Sequence, residues 1–246
     1  MSQRFYAGQD LPALGESLVL DDEESHHLLK VMRFRVGSRI RLFFGGKEAW
    51  ACVLAQEGRR ARLQIEEAIS PPPFPNIRYH AIIPWLRGGK TDGIAQKLTE
   101  MGVQSICTFH ARREVMQASK DKKAHLQKVV IEACKQCERA DLPDLADAAS
   151  LQEAFAGRST DQCHRIILHE RERGSLLGQR LRQLMEGVQG PHEITCASGP
   201  EGGFDPAELE FESSQPEFVS LGPRILRAET APIVAMAVSF AVGGEL

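Results

Sequence analysis

Short stretches of alternating apolar and polar residues fill the first 70 residues of the chain. Residues 39–44 alternate ahead of Gly45-Gly46, a pair typical of a tight hairpin turn, and residues 49–54 and 60–65 have the pattern of two further strands. Because several short strands lie within so short a segment, the pattern predicts a small β-barrel. Residues 26–32 are expected to form one short helix.

After residue 75 the pattern changes to strands that alternate with helices. Strands are predicted over residues 77–83, 103–109, 165–168, 193–197 and 218–221. Helices are predicted over residues 92–101, 121–139, 150–157, 176–185 and 231–242, with a further helix start at Asp205-Pro206. This alternation predicts an α/β domain with a largely parallel sheet covered on both faces. The last helix is apolar on nearly every side, so it is expected in the core or in a subunit interface.

A proline-rich segment separates the two patterns. Four of the five residues 71–75 are proline. Such a run cannot enter a helix or a central strand, and it forms a stiff, extended spacer. It predicts a linker between a first domain of residues 1–70 and a second domain of residues 76–246.

Composition narrows the class of protein. The 246 residues are 42% hydrophobic and 26% charged, as in ordinary globular proteins. No segment approaches the run of about 18 apolar residues that a membrane helix needs, and the first 20 residues lack the apolar core of a signal peptide. The six cysteines are therefore expected as reduced thiols in a cytoplasmic protein.

Positive charge is concentrated in the first half of the chain, although the net charge is -3. Residues 26–47 hold six basic residues and no acidic one, and residues 87–139 hold 11 basic and 6 acidic residues. These clusters are compatible with a local surface for a polyanion such as RNA. The alternative is that they are ordinary solvated faces of strands and helices.

Three short motifs have functional counterparts but fit structural roles better. Gly88-Gly89-Lys90-Thr91 resembles the end of a P-loop, but Pro84 stands where the first glycine is needed, so nucleotide hydrolysis is disfavoured and Lys90 is kept as a phosphate contact. Cys134 and Cys137 lie on the apolar stripe of a helix and are interpreted as core thiols. His26-His27 has no further ligand nearby in the sequence, and no metal site is predicted.

Three loops are predicted at the carboxyl ends of parallel strands, where such a sheet has its ligand crevice. Residues 198–204 hold three glycines, which leave backbone N–H groups open to a ligand. Residues 221–231 place two arginines and a glutamate just ahead of the apolar helix, and His169-Glu170 belongs to the third loop. The alternatives are a tight turn for the first of these loops and a purely structural charge pair for the second.

The sequences of two of these loops resemble a known family. GPEGGF at residues 199–204 and LGPRILRAETA at residues 221–231 are similar to motifs of the 16S ribosomal RNA uridine N3-methyltransferases, which belong to the SPOUT class of S-adenosylmethionine (SAM)-dependent RNA methyltransferases. Further matches are Arg87-Gly88-x-Lys90-x-Asp92, Gln96-Lys97 with Glu100-x-Gly102, Glu132-Ala133-Cys134-x-Gln136-Cys137-x-Arg139 and His27-Leu28-x-x-Val31-Met32-Arg33. The resemblance covers nearly the whole chain. One departure is Glu138, where the family usually has glycine.

The resemblance implies a fold and a cofactor. The first domain is expected to be a PUA-like β-barrel that binds RNA, and the second a SPOUT α/β domain with a C-terminal trefoil knot that forms a homodimer. SAM is expected in the knot, without a metal. The cofactor-binding residues implied by the family are Leu168, His169, Gly199, Pro200, Glu201, Gly202, Gly203, Leu221, Gly222, Ile225, Leu226 and Arg227.

The reaction needs little more than positioning, because the SAM sulfonium already activates its methyl group. Uridine N3 carries a proton, so a base or a cation beside the carbonyl oxygens should help. Arg227 is the candidate for stabilising the uracil anion, and Glu229 is the candidate for the base or for orienting an arginine. The substrate is expected to be 16S rRNA, within the assembled small (30S) subunit.

The positive clusters supply the candidate RNA contacts. These are Arg4, Lys30, Arg33, Arg35, Arg39, Arg41, Arg87, Lys90 and Arg139. Two alternatives stay open at this point. The chain could be a SPOUT enzyme that acts on transfer RNA or on a ribose 2′-hydroxyl. It could also be a non-catalytic RNA-binding protein, but this interpretation leaves the two glycine-rich loops unexplained.

Overall fold

The computed structural model describes residues 4–70, 75–113, 120–156, 163–172, 174–186, 190–212 and 215–246. The chain forms two compact units, one of residues 1–73 with 131–142 and one of residues 74–130 with 143–246. A sequence pattern could not indicate this division, because the second boundary falls inside a continuous helix. Residues 71–74 of the predicted linker lie outside the described residues.

Five strands form the sheet of the first unit. They are β1 (Arg4–Tyr6), β2 (Ser17–Val19), β3 (Arg39–Phe43), β4 (Glu48–Glu57) and β5 (Arg60–Ile69). Their order is β1-β3-β4-β5-β2, with β1 and β3 parallel and the other neighbours antiparallel. The three longer strands confirm the predictions from alternation. β1 and β2 are only three residues long, so they carry too little pattern to be recognised.

The predicted short helix begins earlier than expected and changes its winding. α1 (Asp22–His26) starts after Asp21, whose carboxylate accepts a hydrogen bond from the Glu24 amide at 2.8 Å. A π-helical turn (His27–Val31) follows directly. Its Leu28 is fully buried in the core formed by the apolar positions of the strands. The turn therefore fixes the basic segment that follows it onto the sheet.

The second unit is built on a six-stranded parallel sheet, as predicted. Its strands are β6 (Ile77–Pro84), β7 (Ser105–Phe109), β8 (Asp144–Ala148), β9 (Cys163–Leu168), β10 (His192–Ala197) and β11 (Glu217–Val219). Their order is β11-β9-β10-β6-β7-β8. β8 was not predicted, because it is an edge strand with charged residues and its first three residues are exposed.

Helices follow these strands along the chain. They are α2 (Lys90–Met101), α3 (Lys120–Cys137), α4 (Leu151–Ala156), α5 (Leu177–Met185) and α6 (Ala231–Gly243). The start of α4 is as predicted, since the Ser150 hydroxyl accepts a hydrogen bond from the Glu153 amide at 3.1 Å. Its end, predicted at Gly157, lies outside the described residues. The helix expected from Asp205-Pro206 is a single 3₁₀ turn, Pro206–Leu209, with Pro206 in its first turn as predicted and with a capping box between Asp205 and Glu208.

The apolar helix α6 is partly in the core. Ala235, Met236 and Phe240 are buried, and the Phe240 ring packs edge-on against Tyr79 with the ring centroids 6.4 Å apart. Ile233 and Val238 on other sides of the helix are only partly buried. Among the described residues, no helix is both long and apolar enough to cross a membrane.

The departure at Glu138 coincides with an unusual backbone conformation. Glu138 directly follows the last residue of α3 and has a φ of 63°. This left-handed conformation at a helix end favours glycine, which has no Cβ to clash. The glycine that is usual in the family therefore has a conformational reason, and this chain holds a glutamate there at some cost.

Candidate functional site

A cavity of about 610 Å³ lies at the carboxyl ends of β9, β10 and β11. The loops that follow these three strands form its wall, together with Lys90 at the start of α2. The structure thus brings together the three loops that the sequence pattern placed at one edge of the sheet. The predicted cofactor residues that line the cavity are Leu168, His169, Gly199, Pro200, Glu201, Gly202, Gly203, Leu221, Gly222, Ile225, Leu226 and Arg227.

The loop after β10, residues 198–205, is a tight turn with little free space. The Gly203 amide donates to the Pro200 carbonyl at 2.9 Å, and Gly203 has a φ of 69°. A Cβ at Gly199 would come within 2.9 Å of the Phe204 ring. Glycine is therefore required here by packing as well as by backbone conformation. We call residues 198–205 the glycine loop.

The glycine loop is held from behind by polar contacts. The buried Glu208 carboxylate accepts hydrogen bonds from the Asp205 amide at 2.8 Å and from the Arg112 amide at 2.9 Å. The Gln152 side-chain amide donates to the carbonyls of Ala207 and Glu208, at 3.2 and 3.0 Å. These bonds tie the loop and the 3₁₀ turn after it to the end of β7 and to α4.

The loop after β9 is anchored through the neighbouring strand. The His169 amide donates to the Val219 carbonyl at 2.9 Å, and the His169 ring packs edge-on against Phe218 at 5.7 Å between centroids. Leu168 is 7% exposed. This part of the wall is thus formed by the sheet itself.

The loop after β11, residues 221–229, is far more open. Its start is fixed, because the Ser220 hydroxyl accepts a hydrogen bond from the Gly222 amide at 3.2 Å. Farther along, however, the side chains of Ile225 and Arg227 are 79% and 85% exposed. We call residues 221–229 the arginine loop. The arginine loop therefore lines the cavity with side chains that have few contacts within the protein.

Four charged side chains meet at the cavity. Lys90 forms an ion pair with Glu201 of the glycine loop, and its Nζ lies 3.7 Å from a carboxylate oxygen of Glu229. The guanidinium of Arg227 reaches the other oxygen of Glu229 at 4.0 Å. The hydrogen bond from Lys90 lowers the pKa of Glu201, and Glu201 raises the pKa of Lys90. Both groups are therefore charged at neutral pH.

Two polar atoms of the cavity wall are buried without a hydrogen-bond partner in the described structure. They are the hydroxyl of Ser198, a residue 2% exposed, and one carboxylate oxygen of Glu229. A buried polar atom without a partner costs free energy, and a bound ligand can supply the missing bond. Ser198 and Glu229 are thus two points of the wall where a ligand or an ordered water can complete the hydrogen bonding.

The motif that resembles a P-loop has a different structure. The Thr91 hydroxyl accepts a hydrogen bond from the Leu86 amide at 2.8 Å and donates to the Pro84 carbonyl at 3.3 Å, so it is used internally. Gly88 and Gly89 have positive φ values of 67° and 73° and form a turn that leads into α2. The motif serves to present Lys90 to the cavity.

The basic residues predicted to contact RNA fall into two groups. Lys30, Arg33 and Arg35 are exposed, and within the described chain no acidic residue lies within ion-pair distance of them. Arg39 is instead paired with Glu66 at 3.0 Å, and Arg41 with Glu48 at 2.8 Å. Arg87, outside this cluster, is exposed.

Two of the predicted RNA contacts are corrected by burial. Arg4 of β1 is 2% exposed and forms an ion pair with the buried Glu48 of β4. The Arg139 side chain is only 11% exposed and is paired with Asp141. Arg4 was assigned to RNA by its positive charge and Arg139 also as part of a family motif, but in the structure both side chains are largely buried and form ion pairs within the protein. A buried charge is tolerated in a protein when it is paired.

The cysteines behave as predicted for core thiols. Cys134 is fully buried, and burial raises its pKa to about 12. Cys137 is partly buried on the same helix. In the described part of the chain, no group of three or more His, Cys, Asp or Glu side chains could hold a metal ion.

Sequence reasoning missed the residues that support the site. Glu208 was recognised only as part of the helix start at Asp205-Pro206, and Ser198, Gln152 and Arg112 were given no individual role. Their contacts join segments that lie far apart in the chain, so no local pattern carries them. Lys90 was assigned to RNA phosphate, whereas the structure places it in the cavity wall.

Comparison with known protein families identifies the chain. A model of the RNA methyltransferase domain family matches residues 72–239, and a model of the RNA methyltransferase PUA domain matches residues 20–66. The chain belongs to this RNA methyltransferase family. The first match covers the cavity, and the second covers most of the five-stranded sheet. The fold class implied by the loop motifs, a PUA-type domain followed by a SPOUT-type parallel sheet, is confirmed for this RNA methyltransferase.

Individual relatives of this RNA methyltransferase match along most of its length. It is 29% identical over 235 residues to Ribosomal RNA small subunit methyltransferase E of Bacillus subtilis, covering 87% of this chain and 86% of that protein. The protein of the same name from Synechocystis is 28% identical over 224 residues, covering 90% and 72%. The crystal structure of Ribosomal RNA small subunit methyltransferase E from Neisseria gonorrhoeae bound to S-adenosyl methionine has a TM-score of 0.81 and 28% identity, with 98% of both chains covered.

Proposed function

We propose that this protein is a SAM-dependent methyltransferase that modifies N3 of a uridine in 16S rRNA of the small ribosomal subunit. The observation that carries the proposal is the cavity itself. It combines a tight glycine loop, the unpartnered Ser198 hydroxyl and a set of opposed charges at its mouth. The similarity to a relative that was crystallised with SAM supports the choice of cofactor.

The residues of the cavity fit SAM in size and in chemistry. A cavity of about 610 Å³ is in the range of small-molecule sites. The backbone of the glycine loop, the Ser198 hydroxyl and the arginine loop would hold the cofactor, and Ile225 would cover its apolar parts. When bound, SAM supplies a methyl group that its sulfonium has already activated for transfer. The protein then has to position the acceptor and handle one proton.

The acceptor proton sets the demands on the protein. Uridine N3 becomes a nucleophile only as its N–H proton leaves, so a base must lie near the cofactor. In this proposal the Glu229 carboxylate takes that proton, because one of its oxygens is buried in the wall without a hydrogen-bond partner in the described chain. Arg227, 4.0 Å from Glu229, donates to a carbonyl oxygen of the uracil.

In this proposal the first unit binds the RNA. We assign phosphate contacts to Lys30, Arg33 and Arg35, since their charges are exposed, and only a secondary role to Arg39 and Arg41, which are already paired. Phosphate contacts release counterions, so the logarithm of the affinity should fall linearly with the logarithm of the salt concentration. The double variant Arg33→Gln/Arg35→Gln should flatten this slope by about 2 units, and Arg39→Gln/Arg41→Gln should change it less.

The remaining parts of the proposal follow the family resemblance. The C-terminal segment is proposed to form a trefoil knot, the protein to be a homodimer through the second unit, and the substrate to be the assembled small subunit. The partly exposed Ile233 and Val238 on α6 are consistent with such a contact between copies. Sedimentation equilibrium and binding to intact small subunits are the direct measurements.

Two experiments test the proposed function. Calorimetry with SAM in the presence of a chelator should give heat of binding, and its absence at millimolar SAM would exclude the enzyme in favour of a non-catalytic RNA-binding protein. Mass spectrometry of nucleosides should then find N3-methyluridine in 16S rRNA from the complemented strain and not from a deletion strain. If the deletion strain instead lacks a 2′-O-methyl group or a transfer RNA modification that the complemented strain has, the protein has another SPOUT activity.

A further inference from the structure

Lys90 occupies a position that RNA phosphate binding does not explain. It is the first residue of α2 and lines the cavity, and its ammonium group lies between carboxylates from two different loops, Glu201 and Glu229. Its side chain is 37% exposed. It therefore points toward the cofactor site rather than outward to a polyanion.

The start of α2 is built to hold this lysine in place. The Leu86 amide and the Pro84 carbonyl both bond the Thr91 hydroxyl, so the turn before the helix is fixed. A positive charge in the first turn of a helix is opposed by the helix dipole. Lys90 is thus held rigidly at a position where the helix dipole disfavours a positive charge. We infer that this charge acts on a group bound in the cavity.

The geometry favours Lys90 over Arg227 as the cation nearest the buried carboxylate oxygen. Lys90 Nζ lies 3.7 Å from Oε2 of Glu229, which has no hydrogen bond among the described residues, whereas Arg227 faces Oε1 at 4.0 Å and is 85% exposed. An ammonium group has three N–H donors. One of them donates to Glu201, and the Glu229 carboxylate 3.7 Å away takes at most a second, so the third can reach a ligand.

We propose that Lys90 is a catalytic residue of the reaction proposed above, on which this inference rests. Its third N–H donates to a carbonyl oxygen of the target uracil and stabilises the negative charge that develops there. The N3–H proton passes to the Glu229 carboxylate, and the N3 electron pair forms the new bond to the methyl carbon. The old carbon–sulfur pair stays on sulfur, which becomes neutral. Charge and atoms balance without a further reactant.

The competing role for Lys90 is a strap that ties α2 to the glycine loop through Glu201. The two roles differ in what the loss of the ammonium changes. If Lys90 stabilises the anion, Lys90→Met should slow methyl transfer about 10²-fold, the scale of losing one oxyanion donor. SAM affinity and melting temperature should change little. If Lys90 is instead a strap, Lys90→Met should lower the SAM affinity, the melting temperature and the rate of methyl transfer together.

The deciding experiment changes the acidity of the substrate. Single-turnover transfer is measured on undermethylated small subunits that contain either uridine or 5-fluorouridine, whose N3–H is more acidic. The rate deficit of Lys90→Met should shrink at least several-fold on fluorinated subunits, since less stabilisation is needed. Lys90→Arg should retain more activity than Lys90→Met. Lys97→Met removes a lysine of the same helix that pairs only with Glu100 in the described structure, and serves as the matched control.

A second readout does not depend on turnover. The ¹⁹F resonance of 5-fluorouridine in a bound RNA fragment, titrated with pH in the presence of S-adenosylhomocysteine, reports the N3 pKa in the site. That pKa should be lower in the wild-type complex than in Lys90→Met. The proposal is overturned if the deficit is equal on both substrates, if the rate stays within about threefold of wild type, or if SAM affinity falls in parallel. Failure of the wild-type protein to form N3-methyluridine would instead refute the proposed function.

Discussion

The glycine loop and the arginine loop line the same cavity, but they are held in different ways. The glycine loop is fixed by Glu208 and Gln152 and has no room for a Cβ at Gly199. The arginine loop leaves Ile225 and Arg227 largely in solvent. One wall of the site is thus complete before any ligand arrives, whereas the other has its contact groups exposed.

This difference separates two ways of contributing to a binding site. A preformed wall loses little conformational entropy when the ligand binds, so its contacts count almost fully toward affinity. An open loop gains its contacts only in the complex, so its residues affect affinity or rate with little effect on the stability of the free protein. Substitutions in the two loops should therefore separate stability from function.

The largest effect is expected for Arg227→Lys in the arginine loop. The substitution keeps the charge but loses the forked donor geometry, and single-turnover methyl transfer should fall by about 10²-fold. The melting temperature should not move, because an exposed ion pair contributes little. Arg182→Lys, an exposed arginine on α5, is the control. A near-normal rate would remove the forked-donor role, and parallel loss of stability would mean that this loop is structural after all.

The next effect concerns the support of the glycine loop. Glu208→Ala leaves the amides of Asp205 and Arg112 without their acceptor and should lower the free energy of unfolding by about 2 to 3 kcal/mol. SAM affinity should decrease as well, because the preformed wall loosens. Urea unfolding and calorimetry measure the two changes. Glu210→Ala, an exposed neighbour, should alter neither. Unchanged stability in Glu208→Ala would show that the loop is not held from behind.

Ile225→Ser tests the open wall by itself. If Ile225 covers the cofactor, removing its apolar surface should weaken SAM binding about 10-fold, a cost in the range for burying one such side chain. The free energy of unfolding should stay within about 0.5 kcal/mol, as for other surface substitutions. Leu14→Ser changes an apolar side chain of the first unit with 72% exposure and should leave SAM affinity unchanged. Equal affinities for Ile225→Ser and wild type would place the ligand away from this loop.

The smallest effect is expected for Gly203→Ala. Gly203 has a φ of 69°, and its Cβ would meet only an ordinary contact at 3.5 Å, so the cost of about 1 kcal/mol should come from the backbone alone. Gly93→Ala in α2, where φ is not positive and no atom lies within 4 Å, should instead be neutral or stabilising. Thermal unfolding compares the two. A stabilised Gly203→Ala would contradict the tight conformation of the glycine loop.

Much of the site could be predicted because strand and loop follow one another in the chain. The three glycines of residues 198–204 and the charges of residues 221–229 each follow a strand pattern, and parallel strands end at one edge of a sheet. Their convergence on one cavity therefore needed only local pattern and a general rule of topology. The departure at Glu138 was visible only through the family motif, and its φ of 63° only in the structure.

The exposure and the ion-pair partners of individual charged side chains could not be predicted in this way. Arg33, Arg39 and Arg4 are all arginines near or in strands of the first unit, yet one is exposed, one is paired at the surface and one is buried with Glu48. Residue type and position along the chain do not distinguish these three arginines from one another. The difference depends on which acidic side chain the folded sheet places beside it.

The sequence by itself determined most of the elements, the parallel sheet and the loops that form the cavity, because hydrophobic period, glycine and proline act over a few residues. Only the tertiary structure decided that Lys90 turns into the cavity, that Glu208 holds the glycine loop and that Arg4 is buried. These outcomes depend on contacts between segments that are far apart in the chain, such as Lys90 with Glu201 and Arg112 with Glu208. The energy of such a contact exists only once the fold has brought both partners together.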